Sequence, residues 1–128
     1  MLASSDLIAF AATRDPARAK GFYRDTLGLK LVEESPFAVV FDANGTMLRI
    51  QTVGELIPAP YTALGWRVDD IRAAIDSLMA KGVRFERYDG FSQDERAIWC
   101  SPSGAEVAWF KDPDGNTLSL TQWPSEAS

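Results

Sequence analysis

The sequence contains no histidine, a single cysteine and no long hydrophobic run. Without an imidazole, a metal site would depend on carboxylates, and the usual general base near neutral pH is absent. The lone Cys100 excludes an internal disulfide and suits a reducing compartment. No apolar stretch approaches the ~20 residues of a membrane span, so we expect no membrane partner.

Basic residues are also few. The 13 lysines and arginines against 18 aspartates and glutamates give a net charge of −5, without a basic cluster. Nucleic acid is therefore not an expected partner. The first six residues lack the basic start and apolar core of a signal peptide, and with the lone cysteine they favour a cytoplasmic location.

The hydrophobic share of 46% and the charged share of 24% are typical of a globular protein. With 128 residues the chain is long enough to bury one core, and we expect a single domain over 1–128.

One turn and strand occur twice. Residues 111–121 read KDPDGNTLSLT, in which Pro113 and Gly115 form a tight turn before alternating apolar and polar residues. Residues 42–51, DANGTMLRIQ, are a weaker copy seventy positions earlier. The sequence therefore predicts two copies of one structural unit.

The first module is predicted over 7–54, followed by a linker over 55–62 with two prolines. Asp15 and Pro16 begin a helix that Gly28 ends, and its apolar residues recur at helical spacing. The strands predicted around this helix are 7–13, 29–34, 37–42 and 46–52.

The second module is predicted over 63–123 and repeats the order. Asp69 or Asp70 caps its helix, which ends at Gly82. Its predicted strands are 63–68, 83–88, 97–100, 105–111 and 117–122, with a polar loop at 89–96. Each module is too small to bury both sides of a sheet, so the modules are expected to pack on one another or on a second chain.

Two such βαβββ units resemble the vicinal oxygen chelate superfamily, which includes glyoxalases, bleomycin-resistance proteins and extradiol dioxygenases. The resemblance covers nearly the whole chain, and its motifs are the segments 15–29, 68–71 and 112–116. It implies an α+β fold with both βαβββ modules in one chain. It further implies sheets curled around a central cleft, helices outside, and a small-molecule site inside.

Enzymes of this superfamily place metal ligands at four positions, which the resemblance maps onto Ile8, Arg49, Ala63 and Ser119. None is a suitable ligand, and Arg49 would repel a divalent cation. We therefore expect no metal, no cofactor and no catalytic residue, and the chain is not expected to be an enzyme.

Strand alternation divides the paired strands into two faces. Leu48, Ile50, Leu118 and Leu120 are expected to pack under the helices. The opposite face, together with a lid residue from the polar loop, gives the predicted ligand-binding set: Ile8, Phe10, Met47, Arg49, Gln51, Ala63, Arg67, Phe91, Ser119 and Thr121.

The two arginines of this set favour a ligand with a carboxylate or phosphate, which a guanidinium binds through two hydrogen bonds. The alternative is that both pair with acidic residues or point to water. Cys100 is expected to be a small buried residue. Trp99, Trp109 and Tyr88 suit either a pocket wall or the core, whereas Trp66 is assigned to the core.

The favoured function is metal-free binding of a small, partly hydrophobic and anionic molecule, by a protein that exposed sheet edges suggest is a homodimer. One alternative is a metal-dependent lyase, isomerase or dioxygenase with its ligands at other positions. A second is a protein-interaction or regulatory module that binds through the rims of the cleft.

Overall fold

A computed structural model of the protein describes residues 1–125. Its strands are β1 (Ile8–Thr13), β2 (Lys30–Glu34), β3 (Ala38–Ala43), β4 (Thr46–Thr52), β5 (Thr62–Arg67), β6 (Trp99–Cys100), β7 (Glu106–Lys111) and β8 (Thr117–Gln122). Its α-helices are α1 (Pro16–Gly21), which continues as a π-helix over Phe22–Thr26, and α2 (Ile71–Ala80). A short 3₁₀ turn occupies Leu2–Ser4.

The chain forms two compact units. The first contains Met1–Pro58 together with the loop Asp112–Asn116, and the second contains Ala59–Lys111 and residues 117–125. Each unit has one four-stranded sheet and one helical segment in the order βαβββ. The predicted α+β fold with two βαβββ modules is therefore confirmed.

In the first unit the strand order is β1-β4-β3-β2. Strands β1 and β4 run parallel, and the remaining neighbours are antiparallel. The second unit repeats this arrangement with the order β5-β8-β7-β6, in which β5 and β8 are parallel.

The strand predicted over 83–88 is wrong. Within this stretch only Phe85 forms a bridge, to Phe110. The reason is the side chain of Gln93, which accepts from the Tyr88 amide at 2.8 Å and donates to the Glu86 carbonyl at 2.9 Å. A side-chain amide thus occupies backbone groups that a neighbouring strand would otherwise use.

The strand predicted over 97–100 is shorter than expected. It begins only at Trp99, because Ala97 has a φ of +65° that interrupts extended backbone.

The helix ends follow the sequence. Asp15 accepts from the Arg18 amide at 3.2 Å, and Asp70 accepts from the Ala73 amide at 3.1 Å, so both act as N-caps. Beyond the helices, Gly28 and Gly82 have φ values of +77° and +93°. These left-handed conformations suit glycine and confirm the predicted helix ends.

The apolar face of each sheet is buried as predicted. Leu48 and Ile50 are buried in the first unit, and Leu118 and Leu120 in the second. In the first unit Tyr23 packs on Phe41 with ring centroids 5.8 Å apart. On the opposite faces, Val40 and Ser119 are also buried, whereas Ile8, Phe10 and Met47 are exposed.

A buried polar network holds the loop Asp112–Asn116 within the first unit. The Asp112 carboxylate accepts from the Tyr23 hydroxyl at 2.7 Å and from the Asn116 side-chain amide at 2.8 Å. It also accepts from the backbone amides of Asp114 and Asn116. Burial is the largest cause that raises the pKa of the Tyr23 hydroxyl well above its usual value, and the nearby Asp112 carboxylate raises it further. The hydroxyl therefore stays protonated and remains a donor.

Two further features complete the fold. Cys100 is exposed, so its predicted burial is wrong: β6 is a two-residue edge strand that leaves the side chain uncovered. In the described part of the chain, neither helix has the length and apolar character needed to cross a membrane.

Candidate ligand-binding faces

The uncovered face of the first sheet carries five of the predicted residues in register. Ile8 lies beside Met47, Phe10 beside Arg49, and Ala12 beside Gln51. Ile8, Phe10 and Met47 are 44–51% exposed, although their size and apolarity would suit a core. The structure thus brings this set of five onto one open, mainly apolar face.

Arg49 lies near the middle of this face, between Phe10 on β1 and Val40 on β3. Three cationic side chains in residues 1–125 belong to half-buried residues: Lys20, Arg49 and Arg96. Lys20 pairs with Glu34 and Arg96 with Asp76, whereas the guanidinium of Arg49 has no ion pair or hydrogen bond within those residues. An apolar setting without a counterion leaves this guanidinium available to an anion.

One end of the face deepens into a groove of about 380 Å³. Ile8 and Met47 contribute to its walls, whereas Phe10, Arg49 and Gln51 do not. The groove is lined by Asp6, Leu7, Ile8, Val32, Val40, Phe41, Asp42, Gly45 and Met47.

The uncovered face of the second sheet has two rows of side chains. One row runs from Arg67 through Thr121 and Val107 to Trp99. Because neighbouring strands lie about 4.8 Å apart, its ends are separated by roughly 14 Å. A cation therefore lies at one side of this face and an aromatic ring at the other.

The second row contains Gly65, Ser119 and Trp109. A Cβ atom at Gly65 would lie 2.7 Å from the Ser119 hydroxyl oxygen, so a side chain at this position would require the Ser119 side chain to move. The hydroxyl of Ser119 makes no hydrogen bond within residues 1–125. Gly65 and Ser119 form a low floor beside the larger rings.

Four aromatic side chains form a wall at one side of that floor: Tyr88, Phe91, Trp99 and Trp109. Phe91 stacks on Trp99 with ring centroids 5.3 Å apart and an interplanar angle of 23°. Trp109 lies 5.6 Å from Tyr88, 5.7 Å from Phe91 and 6.0 Å from Trp99. Burial, followed by the charge of Glu86, raises the pKa of the Tyr88 hydroxyl, so it is neutral at physiological pH.

The surroundings of Ala63 differ from those predicted for a residue of the ligand-binding face. Strand β5 has a bulge between Thr62 and Leu64, which interrupts alternation at Ala63. The neighbouring Thr62 hydroxyl accepts from the Trp109 indole nitrogen at 3.2 Å and orients that ring. Thr62 was absent from the predicted set because a bulge cannot be read from alternation alone.

Trp99, Trp109 and Tyr88 were also absent from the predicted set. The sequence left them open between pocket wall and core, whereas the structure places them around Phe91. The register of β7 with β8 puts Trp109 opposite Ser119. That pairing follows from the shared turn and could have identified Trp109 beforehand. Trp66 instead pairs with Leu120, whose side chain lies on the buried face.

The donor set does not fit a divalent metal. The four family positions hold an isoleucine, an arginine, an alanine and a serine. Throughout residues 1–125, no place brings together three side chains from histidine, cysteine, aspartate and glutamate. A metal held only by the side chains present here would lack the ligands that such ions require.

These features define a two-module α+β protein whose sheets each present an open face with a cation. A model of the Glyoxalase/Bleomycin resistance protein/Dioxygenase superfamily matches residues 6–120. The chain belongs to this superfamily, and the resemblance drawn from its motifs is confirmed. A search of curated proteins found no significant match.

Solved structures agree on the fold. Lactoylglutathione lyase from Agrobacterium tumefaciens is 22% identical with a TM-score of 0.69, and the alignment covers 93% of each chain. TioX from Micromonospora sp. ML1 is 17% identical with a TM-score of 0.70, covering 94% of this chain and all of the other. A superfamily member from Sphaerobacter thermophilus is 25% identical with a TM-score of 0.69, covering 91% and 96%.

Proposed function

We propose that this protein binds a small, partly hydrophobic and anionic molecule without a metal, and that it does so without catalysing a reaction. The observation that carries the proposal is the open face of the second sheet. There the aromatic wall, the low floor of Gly65 and Ser119, and the cation of Arg67 share one surface. A planar apolar body suits the rings, and an acidic group suits the guanidinium.

Two facts about charge support the anionic part. Arg67 is exposed and Arg49 is half-buried, and neither has an ion pair within residues 1–125. This favours the interpretation of both arginines as ligand contacts over the alternative that they pair with acidic residues.

The absence of catalysis is proposed from the chemistry of the side chains. Neither face contains a histidine, and the Ser119 hydroxyl makes no hydrogen bond to a base within residues 1–125. A serine or threonine hydroxyl is a poor nucleophile without such a base. The alternative, a metal-dependent lyase, isomerase or dioxygenase, would need a ligand set outside the four expected positions.

The exposed apolar residues of the first unit support the expected homodimer as part of the proposal. Leu7 and Phe37 are each 74% exposed, and Val32 is 57% exposed. Exposed apolar surface of this kind is typical of protein contacts. The same residues favour an interaction module as the second candidate function.

The free, exposed Cys100 suits the expected reducing cytoplasm.

Replacement of Arg67, the cation of the second-sheet face, tests the anionic part. For naphthoate, a planar aromatic carboxylate, we expect Arg67→Ala to weaken binding by about 1.5–3 kcal/mol because a charge-assisted hydrogen bond is lost. Calorimetric titration of the wild type and the variant measures the difference.

Arg18→Ala is the matched control, since Arg18 is exposed on α1 and its side chain has no ion pair within residues 1–125. Its affinity for naphthoate should equal that of the wild type. Equal losses in both variants would show that only general surface charge attracts the ligand. Unchanged binding in Arg67→Ala would remove that residue from the site.

A further inference from the structure

A second groove, of about 240 Å³, lies in the second unit away from the residues of the aromatic wall. It is bordered by the end of α2, by the segment 83–87, which forms no regular strand, and by residues 95–97. Its lining is Met79, Val83, Arg84, Phe85, Arg87, Glu95, Arg96 and Ala97. The groove therefore combines apolar side chains with three guanidiniums.

Arg87 is held in place without a carboxylate. One of its terminal nitrogens donates to the carbonyl oxygens of Asp94 and Glu95, at 2.9 and 3.2 Å. Carbonyl oxygens orient the guanidinium but carry no net charge, so its positive charge is not neutralised by them. The other nitrogens of Arg87 make no hydrogen bond within residues 1–125 and can donate to a ligand.

The two neighbouring arginines differ in their partners. Arg84 is exposed, with no side-chain hydrogen bond or ion pair within residues 1–125. Arg96 is held by Asp76 through two hydrogen bonds of 3.1 and 3.2 Å. Arg84 and Arg87 are thus the available cations, and Arg96 is a fixed part of the wall.

The net charge of the lining is opposite to that of the whole chain. The three arginines and Glu95 give the groove lining a net charge of +2. Including Asp76, the partner of Arg96, lowers this to +1, whereas the whole chain has a net charge of −5. The Glu95 side chain is 81% exposed and lies 3.7 Å from Arg96. A carboxylate so open to water gives little neutralisation to the groove.

We propose that this groove is a ligand site distinct from the sheet faces, for a small organic anion with an apolar body and one carboxylate or phosphate ester group. The apolar body contacts Val83, Phe85 and Met79, and the oxyanion accepts N–H groups from Arg84 and Arg87. The volume is below the range for drug-sized ligands, which limits the body to about the size of a single ring.

Side-chain NMR of the isotope-labelled full chain tests the site, with phenyl phosphate and benzoate as separate probes. We expect at least one probe to cause saturable shifts of the Met79 methyl group and of the Arg84 and Arg87 Nε–H groups. The Trp109 indole should be unaffected by binding at this groove. The probe that binds more tightly identifies the preferred oxyanion.

Arg84→Gln should weaken the better probe about tenfold, since it removes a charge-assisted hydrogen bond. This variant removes no side-chain hydrogen bond or ion pair seen within residues 1–125, so the fold should be retained. Arg18→Gln, on α1 of the first unit, should bind as the wild type does.

Three results would overturn the site. These are no saturable shift with either probe, equal weakening in Arg18→Gln, and binding of inorganic phosphate as tight as that of phenyl phosphate. Shifts confined to Trp109 would also overturn it, while leaving the binding function proposed for the sheet face intact.

Discussion

Replacing Asp112 by alanine should lower the free energy of unfolding by about 4 kcal/mol, the largest stability effect expected for an exchange of one polar side chain in this protein. The side chain is only 6% exposed and accepts four hydrogen bonds. Its loss leaves the Tyr23 hydroxyl and three N–H groups without their acceptor in a buried setting. Urea unfolding measures the change, and the melting temperature should fall by roughly 10 °C or more.

The repeated turn provides a matched control. Asp42 begins the equivalent turn in the first module and accepts from the Gly45 amide at 2.8 Å, but it is exposed. Asp42→Ala should therefore cost only about 0.5–1.5 kcal/mol. Tyr23→Phe, which removes one of the four donors to Asp112, should cost about 1–2 kcal/mol. Equal losses for the two aspartates would contradict the role assigned to the buried network.

Trp109→Ala should weaken naphthoate binding by about 30-fold, corresponding to about 2 kcal/mol. The ring contacts three other aromatic side chains and lies opposite Ser119, so its loss opens the wall at its centre. Calorimetric titration measures the affinity. Trp109→Phe should retain most of the affinity because it keeps an aromatic ring. The small remaining loss should come from the hydrogen bond to Thr62, which phenylalanine cannot make.

Trp123→Ala is the control for this substitution. Trp123 is 51% exposed and has no ring contact with the aromatic wall. Its removal should leave the naphthoate affinity unchanged. The opposite pattern, with Trp123→Ala weakened and Trp109→Ala unaffected, would place the ligand elsewhere on the molecule. Melting curves of both variants show whether either loss of binding arises from unfolding.

Interactions within short segments of the sequence were sufficient to predict most of the fold. The N-caps Asp15 and Asp70 and the glycines that end the helices act through neighbouring backbone groups, so their effect is visible in a short segment. Alternation along β4 likewise predicted which side chains are buried, whereas on β8 Thr117 and Ser119 are buried together with Leu118 and Leu120.

Interactions between distant residues could not be predicted in this way. The strand expected at 83–88 is absent because Gln93 binds its backbone groups, a choice that local apolar content does not reveal. The network around Asp112 depends on Tyr23, 89 residues earlier, and the sequence alone indicated only a turn there.

The same limit applied to the candidate sites. The prediction assigned Phe10, Arg49, Arg67, Ser119 and Thr121 to a single cleft-lining face. The structure places Phe10 and Arg49 on the first sheet, and Arg67, Ser119 and Thr121 on the second. The prediction omitted Thr62, whose position depends on a bulge, and most of the aromatic wall. Arg84 and Arg87 are three residues apart in the sequence, but Arg96 joins them at the second groove only through the fold.

Elemental analysis of the purified protein, paired with melting curves in magnesium, manganese, ferrous, nickel and zinc salts, tests metal-free binding most directly. A ligand specific for the native state, at a hundredfold excess over its dissociation constant, stabilises it by about 2.7 kcal/mol. We expect no stoichiometric metal and no saturable shift with any of these ions, but a saturable shift with naphthoate. Stoichiometric metal, or a saturable shift with one ion, would contradict the proposal and favour the metal-dependent enzyme.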